Sequence, residues 1–98
     1  MRVRWTPKAR RTYTEIINYL ETDWTEKEIK TFIAKVDHLL ELIRHNPEMG
    51  EESRKKKNIR KILITKQNSL YYRVKSHKKE LQLLVFWDNR KDPGNLEF

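Results

Sequence analysis

The chain has no cysteine, two glycines and three prolines in 98 residues. Without cysteine there is no disulfide to staple a small domain and no thiolate to hold zinc. With only Gly50 and Gly94, a glycine-rich loop that cradles nucleotide phosphates is excluded in practice. The three histidines, His38, His45 and His77, fall at no metal-ligand spacing and complete no nucleophilic triad. No apolar run approaches the ~20 residues that cross a bilayer. Nor does the opening Met1-Arg2-Val3-Arg4-Trp5 lead into the apolar stretch of a secretory leader. A length of 98 residues predicts one domain spanning residues 1–98, and these absences fit the expectation of a cytoplasmic protein with no membrane partner, no metal and no cofactor.

What is present is positive charge. The formal net is +8. Residues 1–50 carry nine Lys/Arg against eight Asp/Glu, whereas residues 51–98 carry thirteen against six. The second half is therefore the electrostatically active one, suited to nucleic acid, an acidic protein segment or an acidic surface.

Periodicity supplies the elements. Val3 and Trp5 alternate with Arg2 and Arg4, as in a short strand with one wet face. Thr6-Pro7 reads as an N-cap followed by proline at the first helical position. Ala9, Tyr13, Ile16, Ile17 and Leu20 then predict an amphipathic helix over 7–22. Thr25 and Glu28 form a capping-box pattern. A second helix follows on Ile29, Phe32, Ile33, Val36, Leu39, Leu40 and Ile43, and stops near Arg44–Asn46 because Pro47 disfavours helix in the residue before it. Two helices so closely linked should form an antiparallel hairpin. Residues 47–58 read as a loop. Strands are predicted over 59–65, 69–76 and 80–87, and residues 88–98 as an irregular tail. The order β-α-α-β-β-β predicts an α+β domain, an antiparallel sheet packed on one face by a helical hairpin.

Placing Gln67-Asn68 at the first hairpin tip sets Thr65 opposite Leu70 and Ile62 opposite Arg73. Placing His77-Lys78 at the second sets Arg73 opposite Gln82 and Tyr72 opposite Leu83. With this register one face collects Leu63, Leu70, Tyr72, Val74, Leu81, Leu83, Val85 and Trp87, and should meet the helices. The other collects Arg60, Ile62, Ile64, Tyr71, Arg73, Lys75, Gln82, Leu84 and Phe86. That open face mixes arginine with aromatic and aliphatic groups, a composition suited to phosphate and base contact or to the apolar side of a partner peptide. The competing expectation is that the tail covers Ile62, Ile64, Leu84 and Phe86.

The run Arg54-Lys55-Lys56-Lys57-Asn58-Ile59-Arg60-Lys61 has six basic residues in eight and leads from loop into strand, as a phosphate-binding ramp would. Arg54, Lys55, Lys56, Lys57, Lys61 and Lys75 are the candidate target-binding cations. Acid–base candidates are thin. His38 falls on the polar side of its helix, His45 in the last turn and His77 at a hairpin tip. Glu51 and Glu52 would serve only if their loop folds over the sheet.

Several segments resemble the RelE/ParE toxins of bacterial toxin–antitoxin systems. They are Trp5-Thr6-Pro7-x-Ala9, Ile16-x-x-Tyr19-Leu20, Ile43-x-x-Asn46-Pro47-x-x-Gly50, Arg60-Lys61-Ile62-Leu63, Leu70-Tyr71-Tyr72-Arg73-Val74 and Phe86-Trp87-Asp88-x-Arg90-x-Asp92-Pro93. The likeness runs over about residues 2–93 and implies a compact toxin wrapped by a flexible antitoxin segment. RelE-like members cleave messenger RNA on the ribosome, and ParE-like members act on DNA gyrase without nuclease activity. For a RelE-like activity the resemblance points to Arg60, Arg73 and Arg90 as catalytic arginines. The departure is that no Tyr or His follows Trp87, where RelE-like toxins often carry their acid or base. This favours the ParE-like expectation. A noncatalytic nucleic-acid-binding module is a third. An acidic, amphipathic antitoxin segment is expected to dock on Ile62, Ile64, Tyr71, Leu84 and Phe86.

Overall fold

The structure, a computed structural model, describes residues 1–54 and 56–98; Lys55 lies outside the described residues. Strand β1 (Arg2–Trp5) leads into helix α1 (Pro7–Asp23), then α2 (Glu26–His45), a short strand β2 (Glu51–Glu52), and β3 (Ile59–Leu63), β4 (Asn68–Lys75) and β5 (Glu80–Asp88). The α+β class and the helical pair on one face are as the periodicity predicts. The sheet is not wholly antiparallel: its order is β1-β5-β4-β3-β2, and β1 runs parallel to β5. The chain must cross from β1 through both helices before it returns, so β1 reaches the free edge of β5 in the parallel sense. Residues 51–52, expected as loop, pair with Arg60 and Lys61 as a fifth strand.

Both helices begin as their sequences dictate. The Thr6 hydroxyl accepts from the Ala9 amide at 3.1 Å and also donates to the Leu83 carbonyl at 2.7 Å, tying the start of α1 to β5. Thr25 and Glu28 close a reciprocal capping box. The core beneath the helices gathers Ala9, Leu20, Phe32, Val36, Ile43, Leu70, Tyr72, Leu81 and Leu83. Trp5, Tyr13 and Phe86 join it as an aromatic cluster, with ring centroids 5.0–5.4 Å apart.

The first hairpin departs from the expected register. Ile62 pairs with Leu70 and Ile59 with Arg73, a slip of three residues. The turn is closed by the Thr65 hydroxyl, which accepts from the amides of Gln67 and Asn68 at 3.2 and 3.1 Å, so Asn68 belongs to the strand and not to the tip. An odd slip turns every side chain of β3 over. Ile62 and Ile64 therefore pack into the core under the helices, and Leu63, expected in that core, is 57% exposed.

The second hairpin keeps the expected pairs Arg73–Gln82 and Tyr72–Leu83. Beyond them a bulge follows, since Tyr71 pairs with Val85 and Leu84 is the extra residue. The bulge moves Phe86 to the helix side and turns Val85 and Trp87 to the other face, both corrections to the alternating pattern. Its spare donor, the Phe86 amide, is satisfied by the Thr12 hydroxyl of α1 at 3.0 Å.

Candidate functional site

The sheet face away from the helices is divided. One half is apolar: Ile59, Tyr71, Leu84 and Val85 are buried under Leu96, with Phe98 against the Tyr71 ring at 5.3 Å. The tail thus covers part of this face, although of the four residues expected beneath it only Leu84 lies there. The other half carries Arg2, Arg4, Arg73 and Lys75 around Glu80 and Gln82.

Four of the five residues expected to form an open apolar docking surface are buried: Ile64, Tyr71, Leu84 and Phe86, with Ile62 packed against the core. They do not share a surface. Ile62, Ile64 and Phe86 face the helices, whereas Tyr71 and Leu84 face the tail. The large apolar side chains that are exposed are Tyr19, Trp24, Leu42, Met49 and Leu63.

The three candidate arginines are likewise separated. Arg60 pairs with Tyr72 and so leans to the helix side. Its guanidinium donates to the carbonyls of Gly50 at 2.7 Å and Glu48 at 3.2 Å. Tyr72 organises the same corner. Its hydroxyl donates to the Pro47 carbonyl at 2.8 Å and accepts from the Gly50 amide at 3.1 Å. Gly50 is required by proximity, since a Cβ there would stand 2.5 Å from the Tyr72 hydroxyl. The Asn46-Pro47-x-x-Gly50 helix exit is therefore the seat of Tyr72, and through it of Arg60. Arg73, two strands from the β1 edge, points to the opposite side of the sheet.

Arg90 is at the far end. Asn68 pairs with Asp88 five residues along β4 from the Arg73–Gln82 pair, about 17 Å at ~3.4 Å per residue. Asp88 grips Arg90 in a bidentate pair of 3.0 and 2.9 Å, and the guanidinium lies 5.8 Å from the Tyr19 ring centre. The Arg90 hydrogen bond holds the Asp88 carboxyl below its usual range, and Arg90 is correspondingly pushed up by Asp88. Thr12, Tyr19, Asn68, Phe86, Asp88 and Arg90 line a cavity of about 230 Å³ there. The Asp88–Arg90 pair is open to sequence spacing alone, whereas Tyr19 carries no such mark: Ile16-x-x-Tyr19 and Trp87-Asp88-x-Arg90 are local spacings, which cannot show that the two segments meet.

The basic ramp divides too. Arg54, Lys56 and Lys57 are exposed, while Lys61 lies on β3 beside Tyr71, its ammonium 6.0 Å from the ring. Glu51, Glu52, Arg54, Lys61, Tyr71 and Leu96 surround a second cavity, of about 250 Å³. Burial, and then the Glu51 charge, push the Tyr71 phenol above its usual range. His45 pairs with Glu41 at 3.0 Å in the last turn of α2, and His38 and His77 are exposed. Among the described residues no group of three or more His, Asp or Glu is placed to hold a metal ion. Nor is any helix among them long and apolar enough to cross a membrane.

The pattern of the ParE toxin of type II toxin–antitoxin (parDE) systems matches residues 3–93. The chain belongs to the ParE toxin family. Solved structures of similar fold include the chromosomal ParDE toxin–antitoxin system from P. aeruginosa. It is 20% identical, with a TM-score of 0.73 over 90% of this chain and 95% of that one. A copper-bound mutant toxin from Helicobacter pylori is 16% identical, with a TM-score of 0.65 over 92% and 96%. Comparison with curated proteins gives no match. Membership of the ParE family implies an antitoxin partner.

Proposed function

We propose that this ParE-family toxin arrests bacterial growth by binding DNA gyrase, without cutting RNA, and that a cognate antitoxin neutralises it through an acidic amphipathic segment. The observation that carries the reading is the dispersal of the candidate arginines. Strand scission needs a base for the attacking hydroxyl and an acid for the leaving oxygen at one point, with cations on the same phosphate. Arg60 is occupied by two backbone carbonyls on one side of the sheet, Arg73 lies on the other, and Arg90 is held by Asp88 at the opposite end. For target contact the chain offers exposed cations at Arg54, Lys56 and Lys57, with Lys61 and Lys75 on the sheet. For the antitoxin, net charge of +8 and exposed Tyr19, Trp24 and Leu63 suit an acidic segment with an apolar stripe.

The test is pulse-labelled protein synthesis minutes after induction without a partner, joined to a supercoiling assay with purified protein. Continued labelling in filamenting cells and inhibited supercoiling are expected. Labelling that halts at once, with gyrase untouched at high excess, would overturn the proposal.

One observation favours a second reading. The Glu51–Glu52 strand places two carboxylates, Lys61 and Tyr71 around one cavity, the nearest approach here to an acid–base group for a ribosome-dependent messenger RNA interferase. That reading requires ribosome-bound messenger to be cut, and the cutting to fall sharply in Glu51→Gln or Glu52→Gln.

A further inference from the structure

On two successive rungs of the sheet, β1, β5 and β4 present Arg2–Glu80–Lys75 and Arg4–Gln82–Arg73. Residues two apart share a face, so all six side chains stand on the side away from the helices. Cations on β1 and β4 are separated by β5, about 10 Å, and those two apart along a strand by about 7 Å. The four cations therefore form a flat grid. Glu80 is its only acid, with its side chain 5% exposed between Arg2 at 2.9 Å and Arg4 at 3.8 Å. Arg10 adds a fifth cation where α1 borders the same edge, in a shallow groove with Arg2 and Arg4.

We infer that this grid is a binding site for a nucleic-acid phosphodiester backbone, distinct from the basic run at residues 54–61. Guanidinium forks suit phosphate oxygens, and Arg2 keeps donors beyond those given to Glu80. Among the described residues the Arg73 side chain makes no hydrogen bond or ion pair, its backbone being held in the ladder between β3 and β5, so the guanidinium is available to a ligand. The patch suits the competing class of partner, an amphipathic protein segment, less well. An amphipathic protein segment needs broad apolar ground, and the exposed large apolar side chains, Tyr19, Trp24, Leu42, Met49 and Leu63, all lie off the grid, which meets apolar groups at its edge groove through Pro7 and the half-buried Val3 and Trp5. The apolar half of the same face is already sealed by Leu96 and Phe98. A site made of cations on flat polar ground takes a polyanion whose charge repeats along it, read without base preference. This inference does not depend on gyrase being the target.

The experiment is fluorescence anisotropy of a labelled random-sequence 20-base-pair duplex with the full chain, titrated with salt. Arg73→Gln/Lys75→Gln is compared with Lys27→Gln/Lys35→Gln, an equal loss of charge on α2 across the molecule. Thermal melts confirm that both fold. Wild type should bind at low salt with a log–log salt slope of about −3 to −4, which is ~0.9 per phosphate contacted. The sheet variant should bind at least about tenfold more weakly, with the slope reduced by nearly 2, and the α2 variant should match wild type. Three results would overturn the inference: no binding at low salt, equal loss in both variants, or loss confined to Arg54→Gln/Lys56→Gln/Lys57→Gln. Displacement of the duplex by polyglutamate at equal charge would assign the grid to an acidic protein instead.

Discussion

Replacing Tyr72 with Phe removes one oxygen and leaves two backbone groups without a partner. The Tyr72 ring is fully buried, and its hydroxyl bridges the Gly50 amide at 3.1 Å and the Pro47 carbonyl at 2.8 Å. Gly50 is buried, so its amide bears the desolvation cost of an unmade hydrogen bond, about 1–3 kcal/mol. Pro47 is half-buried, and water can reach its carbonyl more easily. The sum should be about 2 kcal/mol, which lowers Tm by roughly 8–16 °C in a domain of this size. Urea and thermal unfolding measure it, with an unchanged m-value confirming that the native state is what weakened. Gly50→Ala attacks the same contact from the other side, since its Cβ would meet the hydroxyl at 2.5 Å and the Lys61 carbonyl at 3.0 Å. In the double variant the hydroxyl clash is gone, so the combined loss should fall short of the sum of the singles. A loss below about 0.5 kcal/mol for Tyr72→Phe, or strict additivity, would refute the account.

Thr12→Val should leave the bulge amide of Phe86 unpaired and cost about 1–3 kcal/mol; accelerated hydrogen exchange at Phe86 checks it, and unaltered protection would mean another acceptor serves. Asp88 has a depressed folded pKa, so its pairing with Arg90 stabilises the fold above the ordinary Asp range and is lost as pH falls through the lowered value. The gap in Tm between wild type and Asp88→Asn should therefore be present at pH 6 and narrow towards pH 2; a constant gap would count against the pairing. Glu80→Gln should loosen β1 from β5 by releasing Arg2 and Arg4, which amide exchange along residues 2–5 would report.

Much of the architecture was legible because its signals are local. Thr6-Pro7, the Thr25–Glu28 box and the helical spacing of apolar residues each act within one or two turns, so the helices follow from the chain itself. The second hairpin was legible too, since its turn at Ser76–Lys79 leaves only one pairing that keeps Leu81 and Leu83 with Tyr72 and Val74. The faces of β3 and of the end of β5 were not. Apolar residues stand at 62, 63 and 64 and run without a break from 83 to 87, so alternation has no contrast from which to locate a slip or a bulge. The slip was set by the local Thr65-closed turn, which the apolar pattern does not mark; the bulge was set by contacts distant in sequence, the Thr12 hydroxyl that takes the Phe86 amide and the aromatic pocket of Trp5 and Tyr13 that draws Phe86 in. The same holds for the candidate sites. Composition determined that the chain is basic, and the order of its motifs that it resembles the RelE/ParE toxins. Only the tertiary structure decided which cations stand together, because parallel pairing of β1 with β5 brings Arg2 and Arg4 from one end of the chain beside Arg73 and Lys75 near the other.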